Sequence, residues 1–354
     1  MFRQKTTIVV GAGASCELGL PSGDGLKEQI VSLLRPTNDN AYGFADPALQ
    51  QAMKALVSPD VTSFQSTLRP FKAAAQRILR GLPLALSIDN FLHSHQDDPH
   101  VVDLGKLCIA ICILRAERSS HLFKRRNIYV LVEDHNEPRE ASTHGEELAK
   151  TWYPAFARLL MSGVQRNNIK EAFENVRFVI FNYDRCLEHF LWMALQDYFD
   201  VDGEVAAEVL EGVQFTHPYG SLGVLPWRGR SDANLPLGGT DSVDHWKVGK
   251  RLQTFTESVR SKVAQNVVEA VHSADTLLVL GFGYLDQNLQ LLRPQMNGNA
   301  QRAISTAYGV SEPDQRIVRQ ALLTLGNQTP DLTYLEQGSC RELFEHFRLM
   351  LSLS

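Results

Sequence analysis

The most informative segment of the sequence is TTIVVGAGASCELGLPS, residues 6–22. Residues 8–10 form a β-branched run that is typical of a buried parallel strand. Gly11 and Gly13 follow at once, and a strand that runs into Gly-x-Gly and a helix brings backbone N–H groups to an anion. The segment therefore predicts an α/β fold that holds a pyrophosphate at this loop. A tight turn that needs two glycines is the alternative, since the third glycine of G-x-G-x-x-G would fall at Cys16.

Length, charge and cysteine content limit the classes of function. The 354 residues suffice for one large domain with an insertion, or for two domains. The net charge of −5 gives no basic excess, so no direct binding of nucleic acid is expected. Five scattered cysteines and a start without a signal peptide predict a reducing cytoplasm. The longest apolar run, residues 107–114, is too short to span a bilayer and predicts a buried helix, so no membrane association is expected.

Three more apolar runs end in polar residues or glycines, as strands of an open α/β sheet do at a ligand site. They lead into Asn182-Tyr183-Asp184, into His217 with Gly220, and into Gly281-Phe282-Gly283. Because the carboxyl ends of parallel strands meet at one edge of a sheet, we expect these groups to lie together. A helix cap followed by a turn is the structural alternative for residues 182–184. Residues 303–308 and 333–335 predict the last strands.

The region between the first two strands has helical periodicity and predicts a helical insertion, at about residues 48–170, in a single domain that spans 1–354. Within it, Asp89 is predicted to cap a helix that begins at Asn90, and a carboxylate facing the ligand cleft is the alternative. His93, His95 and His100 fit no standard zinc module, so no metal site is predicted.

Taken together, these motifs resemble the sirtuin superfamily. Residues 11–15 with 19–21 are similar to its GAG(I/A)S and G(I/L)P elements, and residues 182–184 to its N-x-D motif. His217 and Gly220 are similar to its H-G element, with two residues between them. Residues 281–283 are similar to its G-T-S element, with Phe282 and Gly283 in place of two hydroxyl residues. The resemblance implies a Rossmann-like, mostly parallel sheet with NAD held across it and an inserted helical subdomain.

The resemblance also implies which residues contact NAD. The binding residues are Gly11, Ala12, Gly13, Ala14, Ser15, Pro21, Tyr183, Asp184, Gly281, Phe282 and Gly283. Tyr183 and Asp184 are expected to hold the nicotinamide carboxamide. Asn182 and His217 are the predicted catalytic residues, because an amide can orient a water and an imidazole has an ordinary pKa near neutrality.

One departure from the resemblance points to the reaction. Protein-deacylating sirtuins carry a zinc ribbon with paired C-x-x-C motifs, and this sequence has no C-x-x-C. The chain is more similar to the bacterial sirtuin-like NADases of antiphage defence, which act by abortive infection. We therefore predict hydrolysis of NAD, as the substrate, to nicotinamide and ADP-ribose, with no zinc. An NAD-dependent protein deacylase and a non-catalytic module that senses NAD or ADP-ribose are the alternatives.

An unrestrained NADase would kill its own host, so the activity is predicted to be gated. The expected devices are assembly into a homo-oligomer and a partner protein in trans. The resemblance implies that this partner is a hexameric ATPase of the HerA type or an Argonaute-like protein. The Gly- and Asp-rich loop at residues 226–245 is predicted to gate the cleft.

Overall fold

The central element of the fold is a parallel sheet. A computed structural model of the protein describes residues 2–39, 42–56, 61–123, 140–293 and 298–353. Its strands are β1 (Thr6–Val10), β2 (Val176–Ile180), β3 (Phe215–Thr216), β4 (Thr276–Leu280), β5 (Arg302–Thr306) and β6 (Thr333–Glu336). All neighbouring strands are parallel, and their order is β3-β2-β1-β4-β5-β6. This is the order of Rossmann-like sheets, which reverses between β1 and β4. The predicted α/β class, the parallel sheet and its strands are confirmed.

Helices connect these strands. They are α1 (Ala12–Cys16), α2 (Gly23–Leu33), α3 (Pro47–Leu56), α4 (Val61–Gly81), α5 (Ile88–Ser94), α6 (Pro99–Ser119), α7 (Glu140–Ala149), α8 (Trp152–Met161), α9 (Cys186–Phe199), α10 (Gly203–Glu211), α11 (His245–Gly249), α12 (Phe255–Val259), α13 (Lys262–His272), α14 (Asp286–Leu292), α15 (Glu312–Leu323), α16 (Cys340–His346) and α17 (Arg348–Leu353). Short 3₁₀ helices cover Leu82–Leu84, Arg166–Phe173, Pro226–Arg228 and Pro330–Leu332.

The sheet is covered on both faces, because successive side chains of a strand point to opposite sides. Val9 and Val179 join the core that contains α2 to α6, whereas Ile8 and Phe178 join the core that contains α8 and α9. The apolar run at 107–114 lies in α6 and is buried throughout, as predicted. No helix in the described residues is long and apolar enough to cross a membrane.

The sequence is less accurate about where helices break. The apolar pattern of residues 247–274 predicts one helix, but the structure divides this segment into α11, α12 and α13, and a capping box at Thr254 starts α12. Residues 148–164 likewise predict one helix, and the structure has α8 there, which begins only at Trp152. Residues 128–132 predict a strand or the end of a helix, and they lie outside the described residues.

Candidate functional site

A cleft of about 820 Å³ opens at the carboxyl edge of the sheet. Its floor is built from the residues that end or follow β1, β2, β4 and β5, and α5 and α6 contribute to its walls. The floor includes Gly11, Ala12, Gly13, Ser15, Asn182, Tyr183, Asp184, Gly281, Phe282, Gly283, Thr306 and Tyr308. The cleft lies where the strand order reverses, which is where ligands bind in open α/β sheets, and its volume is that of a small-molecule site.

Nearly all of the predicted NAD-binding residues line this cleft. The exception is Ala14, which is fully buried in α1. Its backbone oxygen accepts a hydrogen bond from Trp152 Nε1 at 2.9 Å, so α8 supports α1 from behind. Of the predicted catalytic residues, Asn182 lines the cleft and His217 does not.

The glycines after β1 allow two strand ends to touch. Gly11 N donates to the Leu280 oxygen and Gly13 N to the Gly281 oxygen, each at 2.9 Å. A Cβ on Gly11 would lie 2.5 Å from the Gly281 oxygen. These glycines therefore serve the close packing of two strand ends, and neither has the positive φ that would make a tight turn depend on glycine. These two amides are engaged within the protein, so they do not form the anion cradle that the sequence predicted.

Gly281→Ala is expected to lower the free energy of unfolding by about 1–3 kcal/mol through backbone strain. Gly281 has a φ of +55°, and an added Cβ would lie 1.9 Å from Ala14 N, so the loop after β1 must move. Urea denaturation measures the change. Gly283→Ala is the matched control in the same loop, because a Cβ there would meet no atom within 4 Å. Equal losses in the two variants would contradict the prediction.

Ser15 joins the first and second motifs through a chain of hydrogen bonds. Asn182 Nδ2 donates to Ser15 Oγ at 2.8 Å, and Ser15 Oγ donates to Asp184 Oδ2 at 2.9 Å. Asp184 Oδ1 accepts from Cys186 N at 3.1 Å, so the predicted alternative of a cap at this turn also holds in part. All three side chains of the chain are buried. Ser15 thus fixes the Asn182 amide at the floor of the cleft.

The other end of the Asn182 amide is unusual. Asn182 Oδ1 is buried and has no hydrogen-bond partner among the described residues. Buried polar atoms in proteins are nearly always paired, and an exception calls for an explanation such as a ligand. A carbonyl oxygen that is held in place and unpaired can accept a hydrogen bond from a water or a hydroxyl group in the cleft.

His217 lies behind the cleft, against the backbone of Asn182. Its Nε2 is 2.8 Å from Glu188 Oε1, and its Nδ1 is 3.3 Å from the Asn182 backbone oxygen. Both partners are acceptors, which favours the ring form with a proton on each nitrogen. Burial alone would lower the pKa of His217, but Glu188 outweighs it and raises that pKa above its ordinary value. His217 thus contacts the Asn182 backbone from behind the cleft, and its role as a base stays a prediction.

Tyr219 reaches the cleft from the end of β3, and the sequence interpretation missed it. Its hydroxyl donates to Asn288 Oδ1 at 2.6 Å. The backbone turns at Gly220, where φ is +72°. In an H-G element the histidine directly precedes the glycine, and in this sequence Tyr219 occupies the position before Gly220. This spacing is the sequence signal that indicates Tyr219.

Asp89 lines the cleft, which was the predicted alternative to its role as a helix cap. The predicted cap is wrong: α5 begins at Ile88, and Ser87 is its N-cap, with its hydroxyl accepting from Asn90 N at 3.0 Å. The Asp89 carboxylate instead accepts a hydrogen bond from the Tyr183 hydroxyl. The cleft therefore contains a carboxylate from α5 as well as polar groups that follow the strands of the sheet.

The loop at 226–245 is fastened away from the cleft. None of its residues lines the cleft in the described structure. Arg185 donates to the backbone oxygens of Leu235 and Pro236, and Gly238 N donates to Glu117 Oε2 at 2.9 Å. Arg185 and Glu117 also form a fully buried ion pair. The loop is thus held by a buried charge pair, and its predicted position as a gate over the cleft is not supported.

The histidines that follow Asp89 serve separate local contacts. His93 Nδ1 is 2.9 Å from Thr256 Oγ1, and His95 Nδ1 is 2.9 Å from the Phe91 oxygen. Across the described ranges, no group of three or more His, Cys, Asp and Glu side chains is placed to hold a metal ion.

No protein-family model matches the chain, and no curated protein matches its sequence at a significant level.

Proposed function

We propose that the chain hydrolyses the bond between nicotinamide and ribose in NAD, giving nicotinamide and ADP-ribose. The observation that carries this proposal is the Asn182 amide, which belongs to a residue lining the cleft, is held by Ser15 on one side, and has a buried Oδ1 without a partner in the described residues. The order of the sirtuin-like motifs along the chain also supports NAD as the substrate. The inserted helical subdomain that the resemblance implies supports it too.

The position and size of the cleft support NAD as the ligand. A dinucleotide lies across the point where a Rossmann-like sheet reverses its strand order. Residues 11–13 offer backbone and at most a methyl side chain along this point, residues 281–283 offer two glycines and the Phe282 ring, and residues 182–184 lie at one side of it. We assign the nicotinamide to the side of Tyr183 and Asp184, next to Asn182.

The reaction needs few protein groups. Cleavage of a glycosidic bond develops oxocarbenium character, and nicotinamide leaves as a neutral molecule, so no general acid is needed. What is needed is a water held against the anomeric carbon. Asn182 Oδ1 is the acceptor that we assign to this water, because fixing the reacting partners is a large part of enzymatic rate enhancement.

Mass spectrometry of NAD incubated with the purified full chain tests the proposal. Equal amounts of nicotinamide and ADP-ribose, formed without any peptide, are expected. Nicotinamide release only with an acylated peptide would contradict hydrolysis and favour a deacylase. Tight binding of NAD without turnover, alone or with a partner, would favour a sensing module.

We also propose that the activity is gated by self-assembly, by a partner in trans such as a HerA-type ATPase or an Argonaute-like protein, or by both. The toxicity of a free NADase supports this, and the resemblance connects it with antiphage defence. Light scattering, run beside the assay of NAD cleavage, measures the assembly state. A stable monomer with full activity would contradict the proposed gating.

A further inference from the structure

Asp89 occupies a position that the proposed reaction leaves without a role. It is partly buried on α5 and lines the same cleft as Asn182. The Tyr183 hydroxyl donates to its Oδ1, and Tyr183 directly follows Asn182 in the chain. The Asp89 carboxylate is thus held by Tyr183 of the N-x-D motif. It lies on the wall across from β2, the strand that leads into this motif.

No cation pairs with Asp89 in the described structure. The elements that pack against α5 are α2, α6 and α12. On α2, Lys27 pairs with Asp24 and donates to the Ala85 oxygen. On α6 and α12, Lys106 pairs with Glu257.

The groups that face Asp89 are therefore hydroxyls. Tyr183 donates a hydrogen bond to it. Tyr219 is also near: burial is the main cause that raises the pKa of the Tyr219 hydroxyl, and the charge of Asp89 raises it further. A carboxylate that is not used in an ion pair and that opens on a cleft is free to exchange a proton with a ligand.

We propose that Asp89 is the general base of the reaction. This inference rests on the proposed hydrolysis of NAD. The C1′–N1 bond breaks with its electron pair going to the pyridinium nitrogen, and the water oxygen bonds to C1′. The proton of that water passes to the Asp89 carboxylate and then to solvent. Asn182 Oδ1 holds the same water, and His217 keeps Asn182 in place.

The electrostatics of the site agree with this role. Burial raises the pKa of Asp89 to about 6, and the Tyr183 hydrogen bond limits the rise. The carboxylate is thus ionised at neutral pH and becomes protonated as the pH falls through about 6. Activity is therefore expected to fall on the acid side.

The test compares the full-length protein with Asp89→Asn and with Asp97→Asn, a matched change at an exposed position just after α5. Asp89→Asn is expected to slow ADP-ribose formation about 10²–10⁴-fold and to abolish the acid limb of the pH profile. Asp97→Asn is expected to leave both unchanged. Azide needs no deprotonation to attack C1′, so it is expected to restore NAD consumption in Asp89→Asn and to form the glycosyl azide.

Two further variants separate this role from a structural one. Tyr183→Phe removes a hydrogen bond that favours the charged carboxylate, so the acid limb is expected to move to higher pH. His217→Gln is expected to lower the rate but to leave the limb where it is.

The outcomes distinguish this inference from the proposed function. An active wild-type protein whose rate and acid limb survive Asp89→Asn, or an Asp89→Asn protein that azide does not rescue, would overturn the role of Asp89 alone. A wild-type protein that binds NAD but forms no ADP-ribose would overturn the proposed hydrolysis, and the role of Asp89 with it.

Discussion

Asn182→Ala is expected to slow NAD cleavage by at least about 10²-fold, since loss of a group that orients a reactant has effects of this size. The substitution removes the unpaired Oδ1 from the cleft floor and also the hydrogen bond to Ser15. Loss of one such hydrogen bond changes the free energy of unfolding by only about 1 kcal/mol. The variant is therefore expected to stay folded and to lose activity. Nicotinamide release at saturating NAD, with thermal unfolding measured beside it, checks both parts.

Asn167→Ala is the control for this prediction. Asn167 is exposed and lies in a surface groove near Arg166, away from the cleft. It is expected to leave the rate unchanged. Full activity in Asn182→Ala would remove the main support for the proposed function.

Glu117→Ala is expected to lower the free energy of unfolding by about 3–5 kcal/mol, because it leaves the buried Arg185 cation without its partner. Glu117 and Arg185 have side chains that are 0% and 1% exposed. Glu117 Oε1 accepts from the Arg185 backbone amide and from Nε, and Oε2 accepts from Nη2 and from Gly238 N. Denaturation in urea measures the loss, and faster proteolysis at residues 226–245 would report release of the loop.

The neighbouring Arg118→Ala is the matched control on α6. Arg118 pairs with Asp241 of the same loop, but these side chains are 45% and 96% exposed. Exposed ion pairs contribute little to stability, so Arg118→Ala is expected to have a much smaller effect. If the two variants were equally stable, the buried pair would not be what fastens the loop.

The sheet could be predicted from the sequence because its strands are buried on both faces. Such strands appear as short, continuous apolar runs, as in residues 8–10 and 276–280, and polar residues or glycines follow them at the site edge. The same logic located Asn182 and Asp184, since they directly follow β2. The helical layer was less predictable, because capping residues such as Thr254 divide a helix where the apolar pattern continues.

Long-range contacts explain what the sequence did not predict. Asp89 was predicted as a helix cap on local grounds, and only the approach of Tyr183, 94 residues away, gives the carboxylate its place. His217 and Tyr219 both follow β3, yet Glu188 on α9 holds His217 behind the cleft. The buried partner of Arg185 lies 68 residues earlier in the chain, and no local pattern marks it.

The hydrogen-bond chain at the cleft floor has a direction, and Asp184 sets it. The Ser15 hydroxyl donates its single proton to Asp184 Oδ2. The remaining lone pairs of Ser15 then accept from the nitrogen end of the Asn182 amide, and the oxygen end lies on the other side of that amide. Oxygen and nitrogen have nearly the same shape, so sterics alone would let this amide rotate by half a turn. A carboxyl group two side chains away thus selects one of the two orientations of the Asn182 amide, and that orientation leaves an acceptor, rather than a donor, without a partner in the described residues.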